Sequence, residues 1–369
     1  MDYCLGLYRI SVINQETDKP GDSVRARASG IELCRVLAML VIVAGHFIGQ
    51  SGLNSIHGNS TWLRFCGSGA RLAVNLFLVV GCWFMVDYKF KAERIARLYL
   101  TVLFYAVPLT ILAVVWGSPT PKDVFRGFAP FLGRPLWFFS AYMSLALVAP
   151  WLKSAFRLTR KSLGILIALL TVIIPGICTL PDPQMCYVVD VCYFFYVFIL
   201  MGFLKPLFSS SGKYKYVALI TGIALYSLFV VLRQKGSPLI QEWAVQCLAD
   251  FKTIPNLASA LLLFYFFLHL NIGSIRWVNI VGASAFAVYV LHSTPAFCGF
   301  LWHDIFQTGR WIASDHYPLY TAGVVIAVYF SGLLLEIPRR MIVDKWLLSL
   351  AAIRKLLGIV DGGYNHIQP

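Results

Sequence analysis

The sequence has little charge and no long hydrophilic stretch. Only 13% of its 369 residues are charged, whereas 59% are hydrophobic and the mean hydropathy is +0.72. This shortage of charge excludes a soluble globular protein, because soluble domains carry about 25% charged residues. No polar segment is long enough to form a separate soluble domain. The composition therefore predicts an all-α, polytopic membrane protein whose spans are helices.

Acidic residues are especially scarce: the chain has 17 Asp and Glu against 31 Lys and Arg, which gives a net charge of +14. The excess positive charge follows membrane topology and does not indicate a nucleic-acid partner. With the N-terminus in the cytoplasm, 22 Lys and Arg residues lie in inner segments and 9 in outer segments. This bias agrees with the positive-inside rule.

Cysteine spacing of the kind that binds metals is also missing. The nine cysteines include no paired CxxC motif, and most lie inside apolar runs, where cysteine behaves as a small hydrophobic residue. Only Cys186 and Cys192 are spaced around a loop in a way that suits a disulfide. We therefore expect no metal site.

The sequence instead contains apolar runs that predict ten transmembrane helices in one membrane domain, residues 31–338. Residues 1–30 are polar and lack the apolar core of a signal peptide, so they predict a cytosolic tail. Residues 339–369 form a second cytosolic tail, in which basic and apolar residues predict an amphipathic helix on the inner membrane surface. Both termini are then cytoplasmic. The apolar runs are about 31–49, 72–86, 98–116, 136–152, 163–180, 188–204, 216–232, 255–271, 278–302 and 319–337.

The first apolar run contains three ionisable residues, Glu32, Arg35 and His46. Such residues are expensive at membrane depth and indicate a functional site by default. Arg35 and His46 are eleven positions apart, so their side chains lie on nearly the same helix face, about 16 Å apart along the axis. Glu32 lies three positions before Arg35 and can pair with it. One helix thus carries a charged pair near one membrane face and an imidazole well along the span.

This run resembles the first helix of the type-three membrane acyltransferases, polytopic O-acyltransferases that modify bacterial surface glycans. The resemblance combines the acidic residue, the arginine three positions on and the histidine after ten intervening residues. Residues 74–84 are similar to the family's second-helix pattern, although Gly81 and Cys82 stand where the family commonly has Ser-Gly. The similarity extends over nearly the whole chain through Arg94-Ile-Ala-Arg97, Pro135-Leu-Trp137-Phe138 with Tyr142 and Pro150, Tyr289-Val-Leu-His292, and Glu336-Ile-Pro338-Arg339.

The resemblance implies transfer of an acyl group, usually acetyl, from cytosolic acyl-coenzyme A to a hydroxyl of a glycan or glycolipid. The reaction would take place in the cytoplasmic membrane of a bacterium, with acetyl-CoA as donor substrate and no permanently bound cofactor. Lys91, Arg94 and Arg97 form a basic cluster at the inner face, and arginine can hold a phosphate through two hydrogen bonds. The same cluster can serve as a topology signal alone, and the resemblance favours donor binding.

His46 is the residue we predict to carry the chemistry. A neutral imidazole can take the proton of the attacking hydroxyl as a general base, or it can accept the acyl group and pass it on. The sequence leaves both roles open, and packing against a neighbouring helix is the alternative to either. Arg35 either binds the donor's pyrophosphate or shapes the site through Glu32, and we include both residues in the predicted catalytic group.

Four further residues are predicted to assist the reaction or to support the site. The oxyanion of acyl transfer needs hydrogen-bond donors. Asn75, Trp137 and Tyr142 can supply an N–H or an O–H, although Trp and Tyr in spans more often pack. Glu336, at the inner end of the tenth run, is predicted to be architectural, as the partner of Arg35 or of the Arg94 and Arg97 pair.

Tyr289 and His292 are three positions apart in the ninth run and so share a helix face. His292 is predicted either to orient a substrate and polarise the thioester or to form a structural hydrogen bond.

Transport is the competing function. A ten-span protein with intramembrane Arg, His and Glu can export a glycan intermediate, with the same residues acting as a proton relay. The sequence lacks an evident pair of Gly/Pro-broken helices in corresponding halves, and paired basic residues at the inner mouth are not needed for a neutral glycan. These two features favour the acyltransferase.

Overall fold

The computed structural model describes residues 29–51, 60–132, 136–181, 189–340 and 351–365. Every regular element within these ranges is helical, and they contain no strand. The predicted all-α class is therefore confirmed. Most of the predicted tail 1–30 lies outside these ranges, as does the 341–350 part of the predicted amphipathic helix.

The helices follow the apolar runs of the sequence. Two short 3₁₀ turns, Pro130–Leu132 and Lys153–Arg157, join some of them. In chain order the helices are α1 (Ser29–Gly49), α2 (Ser60–Asp87), α3 (Ala92–Trp116), α4 (Pro121–Phe128), α5 (Trp137–Leu152), α6 (Arg160–Thr171), α7 (Asp190–Ser210), α8 (Lys215–Lys235), α9 (Pro238–Ala249), α10 (Ile254–Leu268), α11 (Arg276–Ala283), α12 (Ala285–Ser293), α13 (Pro295–Gly299), α14 (Tyr317–Pro338) and α15 (Ala351–Asn365).

Within the described ranges, seven helices are long and apolar enough to cross a membrane, and up to nine spans result if each of two bent helix pairs is one span. The predicted run 136–152 is also helical, but α5 has only 16 residues. A full crossing takes about 20 residues. The chain is thus a multi-pass helical bundle, and the count of ten spans and the side of the termini stay predictions.

Two of the predicted spans depart from a regular α-helix, and each contains a proline at that point. After α6 the chain makes a π-turn, Val172–Gly176, that contains Pro175. At Pro295 the helix pair α12 and α13 bends by 77°, since proline lacks the backbone N–H that would continue the helix. The pair α9 and α10 bends by 50°. The segment between the predicted runs 216–232 and 255–271 is therefore mostly helical.

Helices α1 and α2 form the centre of the bundle. They pack against each other along most of their length, and α2 also contacts α7 and α10. The closest approach is at Gly45, where an added Cβ would lie 2.2 Å from Cβ of Ala70. Small residues allow helices in a membrane to pack backbone against backbone in this way. This contact fixes the position of His46, which directly follows Gly45.

A disulfide lies at the end of α6 and its π-turn. Cys178 is disulfide-bonded, and its partner lies outside the described residues. The pairing of Cys186 with Cys192 is wrong, because Cys192 is a free, exposed thiol. Disulfides persist on the oxidising side of a membrane. The Cys178 end of α6 therefore fits the outer face, which supports the predicted orientation, and we call the opposite end of the bundle its inner end.

Helix α15 packs against the inner end. The Ala92 N–H at the start of α3 donates to Oδ1 of Asp361 at 2.7 Å. The Tyr364 ring stacks on Phe90, with 3.7 Å between ring centroids, and its edge contacts Trp151. These contacts tie the C-terminal helix to the start of α3 and the end of α5.

Candidate active site

Helices α2 and α5 each place a row of side chains along two neighbouring spaces, and α1 lines the first of them. We call the two spaces and the residues between them the tunnel. On α1 the row includes Met39, Ile42 and His46, which line a small cavity of about 20 Å³, space for about one water molecule. These positions follow the i, i+3, i+7 spacing of one helix face. Arg35 continues the same face toward the inner end.

On α2 the row runs from Val74 and Phe77, in the small cavity, to Gly81 and Phe84, in a much larger space at the inner end. This larger space, which we call the vestibule, has a volume of about 610 Å³. Phe77 and Gly81 are one helical turn, about 6 Å, apart. The two spaces are therefore separated by little more than one turn of α2.

On α5 the row repeats this order. Trp137 and Phe138 line the small cavity, and Tyr142, Ala149 and Lys153 line the vestibule. Phe138 and Tyr142 stack with their ring planes 9° apart, and they form the neck between the two spaces. Helices α2 and α5 thus run from the vestibule to the small cavity, where α1 places His46.

The inner end of the vestibule is basic. Two pairs of cations line it: Lys91 and Arg94 at the start of α3, and Lys153 and Arg157 after α5. Lys153 Nζ donates to the Tyr88 carbonyl at 2.5 Å. Burial lowers the pKa of Lys153, and the neighbouring Asp87 carboxylate partly opposes this effect. A set of cations around a large open space suits a polyanionic ligand.

Arg97 does not line the vestibule with Arg94. It donates to the carboxylate of Glu93 at 2.6 Å, one turn earlier on α3. The predicted cluster is therefore divided: the structure brings Lys91 and Arg94 to the vestibule and directs Arg97 to a partner on its own helix.

His46 lies against a second histidine, His292, at the end of α12. The ring centroids are 4.9 Å apart and the rings are nearly perpendicular, at 87°. His292 is fully buried, and its Nδ1 donates to the Val288 carbonyl at 2.6 Å. Its Nε2 has no hydrogen-bond partner among the described residues. With the proton on Nδ1, this Nε2 carries a lone pair that can accept a hydrogen bond.

Arg35 and Glu32 form an ion pair at the inner end of α1, with 3.0 Å between Nη1 and Oε1. The guanidinium also lies over the Phe84 ring, 5.2 Å from its centroid, so Arg35 is next to the vestibule. Glu32 is buried and approaches α11 so closely that a Cβ at Gly282 would lie 2.5 Å from Oε2. Glu32 lies about 21 Å along the axis from His46 and acts on the site through Arg35.

Three of the other predicted residues line the tunnel, and Asn75 does not. Tyr289 and Trp137 share the small cavity with His46, whereas Tyr142 is at the neck. Asn75 Nδ2 donates to the Phe251 carbonyl at 2.5 Å, and Asn75 Oδ1 accepts from the Tyr193 hydroxyl at 2.9 Å. This network ties α2 to α7.

Glu336 is the centre of a separate buried cluster. Its carboxylate accepts from Arg339 at 2.7 and 2.9 Å, from Arg340 at 2.6 Å and from the Tyr105 hydroxyl at 2.9 Å. The predicted partners Arg35, Arg94 and Arg97 are wrong. The partners are the two arginines three and four positions on, which the helix geometry itself brings to the same face.

Gly81 keeps the neck of the tunnel open. An added Cβ would lie 2.8 Å from Cε2 of Tyr142, so Gly81→Val is expected to push the Tyr142 ring into the passage. We expect the rate of a reaction at His46 to fall at least about tenfold, because small misplacements near a reacting centre are costly. Gly323→Val is the control, since Gly323 has open space around it. Full activity of Gly81→Val in stably folded protein would contradict a ligand passage here.

Sequence reasoning missed two cations of the vestibule and one cation inside α2. Lys153 and Arg157 follow the apolar run of α5 and were counted only as topology signals. Arg71 was placed just outside the second run, but α2 begins earlier and its apolar part is Cys66–Asp87, so Arg71 lies inside it. A search for basic residues at the inner end of every tunnel helix would have found Lys153 and Arg157.

Comparison with known proteins gives one match. The profile of a protein family described as an acyltransferase domain, type 3, matches residues 29–351. No curated protein and no solved structure matches the chain. The matched segment includes all the tunnel-lining residues described above.

Proposed function

Since the chain belongs to the acyltransferase 3 family and is thus a membrane acyltransferase, we propose that it transfers acetyl groups from acetyl-CoA to hydroxyls of a glycan or glycolipid. The observation that carries this proposal is the tunnel, in which α2 and α5 run from a basic vestibule to the small cavity at His46. We further propose that the membrane is the cytoplasmic membrane of a bacterium, with the vestibule open to the cytosol.

The donor enters the vestibule with its phosphates at the inner end. Lys91, Arg94, Lys153 and Arg157 bind these phosphates through charge-assisted hydrogen bonds. The pantetheine arm then lies along the apolar part of the tunnel, between Phe84 and Tyr142. This placement directs the thioester through the neck at Gly81 toward His46.

The transfer itself needs one base and no further reactant. The acceptor hydroxyl oxygen attacks the thioester carbonyl carbon, a C–O bond forms and the C–S bond breaks. His46 removes the hydroxyl proton and returns it to the leaving thiolate, so that CoA leaves as the free thiol. In the relay variant, a ring nitrogen of His46 attacks first and the acetyl-histidine then reacts with the hydroxyl.

His292 positions His46 in either variant. Its Nδ1 proton is held by the Val288 carbonyl, so its Nε2 lone pair is available to accept an N–H from the adjacent His46 ring. A hydrogen bond at one nitrogen of His46 fixes the tautomer and leaves the lone pair on the other nitrogen. That lone pair is then the one that meets the substrate.

Sealed membrane vesicles of the two orientations test the function. Acetyl-CoA labelled in the acetyl group is added outside inverted vesicles and outside right-side-out vesicles that carry the glycan. We expect labelled, alkali-releasable ester on the glycan and free CoA thiol with the inverted vesicles alone. Movement of glycan across the membrane without ester formation would contradict the proposal and favour transport.

Removing one vestibule cation of α3 and one that follows α5 is expected to weaken the binding of acetyl-CoA. In the double variant Arg94→Ala, Lys153→Ala, the KM for acetyl-CoA should rise at least about tenfold, because hydrogen bonds to charged groups contribute about 1.5–3 kcal/mol each. The kcat should change little, since these residues lie far from His46.

Arg97→Ala is the matched control for the double variant, because Arg97 pairs with Glu93 and does not line the vestibule. Its KM for acetyl-CoA is expected to stay close to that of the wild type. An equal rise in KM for Arg97→Ala would contradict the assignment of the vestibule as the donor site and favour a general effect of positive charge.

A further inference from the structure

Arg71 lies at the outer end of the tunnel. It lies one turn before Val74, which lines the small cavity. The face of Val74 and Phe77 continues at Ala70, and Arg71 is the next residue on α2. Its side chain is exposed. Within the described ranges, no ion pair joins Arg71 to a carboxylate, although α2 is one of the apolar spans.

Arg71 is also next to the reacting centre. Gly45 and Ala70 are the point of closest approach of α1 and α2, and His46 and Arg71 are the residues that directly follow them. This contact brings the backbones of His46 and Arg71 close together. In the proposed reaction, an acceptor that approaches His46 from the outer end comes near Arg71.

Topology does not account for this cation. Positive charge is favoured at the inner face, whereas Arg71 lies toward the outer end, and a charged residue inside a span is expensive unless it meets a partner or a substrate. The surroundings are basic as well, because Arg233 donates to Ser68 at 3.0 Å, one turn farther out on α2. The outer mouth is thus suited to an anion.

That anion does not belong to the donor. The basic wall of the vestibule begins near Lys89 and Lys91, at the far end of α2. From Arg71 to Phe84 alone, the helix rises about 20 Å. The donor's phosphates are accounted for at the inner end, so the group that meets Arg71 enters from the other side.

We propose that Arg71 binds an anionic group of the acceptor, a sugar carboxylate or a phosphate, and holds the acceptor hydroxyl against His46. This rests on the proposed function and adds a preference for acidic acceptors. Arginine suits both groups, since its planar fork pairs with two oxygens at once.

The test measures ester transfer to the native glycan, which lies in the lumen of inverted vesicles. Competing sugars are enclosed in the same lumen when the vesicles form. The probes are glucuronate, glucose 6-phosphate and the uncharged methyl glucoside. With the wild type, we expect at least one charged sugar to inhibit at a concentration at least about tenfold lower than methyl glucoside does. Inhibition by glucuronate indicates a carboxylate acceptor, and inhibition by glucose 6-phosphate indicates a phosphate.

Arg71→Gln is expected to remove this tenfold difference, and Arg71→Lys to restore part of it. Arg310→Gln is the matched control, because Arg310 is an arginine near the same end that hydrogen-bonds Gln307 and does not line the tunnel. Inhibition must persist at saturating acetyl-CoA, since relief by the donor would place the anion in the vestibule and overturn the proposal.

Equal inhibition by the charged and uncharged sugars in the wild type also overturns it, as does an unchanged difference in Arg71→Gln. The absence of ester transfer in the wild type without competitor would instead disprove the proposed function itself, on which the role of Arg71 depends.

Discussion

Replacement of His46 by alanine is expected to lower ester transfer by about 100- to 10,000-fold, the range that a positioned general base contributes. His46 is the ionisable residue of α1 in the small cavity, and α2 and α5 lead from the vestibule to that cavity. The variant removes the imidazole but leaves the vestibule unchanged, so acetyl-CoA should still bind. The measurement is alkali-releasable acetate on the glycan, at matched protein levels.

His316→Ala is the control for this experiment, because His316 is an exposed histidine at the start of α14. It should retain the wild-type rate. A His46→Ala protein that folds and transfers ester as fast as His316→Ala would show that the tunnel is not the reaction path. Loss of the glycan itself, with unchanged ester per sugar, would favour transport.

The same variant distinguishes the two roles of His46. Protein is mixed with labelled acetyl-CoA in the absence of acceptor, denatured and analysed for label on the chain. Label on the wild type but not on His46→Ala indicates the acetyl-histidine relay. Release of CoA thiol that depends on acceptor, without label on the chain, indicates direct transfer with His46 as general base.

His46 and the bundle itself could be predicted from the sequence because each depends on local composition. An apolar run long enough to span a membrane is visible directly, and an ionisable residue within it stands out by its cost. The register of Arg35 and His46 follows from helix geometry alone. None of these inferences needs knowledge of which helices are neighbours.

The meeting of four cations in the vestibule could not be predicted in this way. Lys153 and Arg157 meet Lys91 and Arg94 only because α5 packs beside α2 and α3, and the sequence does not state that contact. The contact of His292 with His46 likewise depends on the packing of α12 against α1. Long-range contacts of this kind carry no periodic signal in a single chain.

The partners of Glu336 were within reach of the sequence. Side chains three and four positions apart meet on a helix, and Arg339 and Arg340 stand at those positions. The prediction instead named Arg35 and the Arg94 and Arg97 pair. In the structure the turn after Pro338 continues in helical conformation at Arg339, which keeps both guanidinium groups in range.

Glu336→Ala is expected to destabilise the protein by about 3–5 kcal/mol, the usual cost of removing one partner from a buried ion pair. Glu336 is 2% exposed and Arg339 3% exposed, so the remaining guanidinium group loses its carboxylate where water cannot replace it. Thermal unfolding in detergent measures the effect. Glu336→Gln keeps an acceptor oxygen and should lose less stability.

The Glu93 and Arg97 pair supplies the control for Glu336→Ala. Its distance, 2.6 Å, matches that of the Glu336 and Arg340 pair, but Glu93 is half exposed. Exposed pairs of this kind contribute about 0.3–0.5 kcal/mol, so Glu93→Ala should unfold close to the wild-type temperature. Equal stability of the two variants would contradict an architectural role for Glu336.

Loss of the Glu336 cluster should also loosen Arg35. Arg340 donates to the Ala283 carbonyl, which lies beside the contact of Gly282 with Glu32, and Glu32 is the partner of Arg35. Activity and stability are therefore expected to fall together in Glu336→Ala, whereas in His46→Ala activity falls alone.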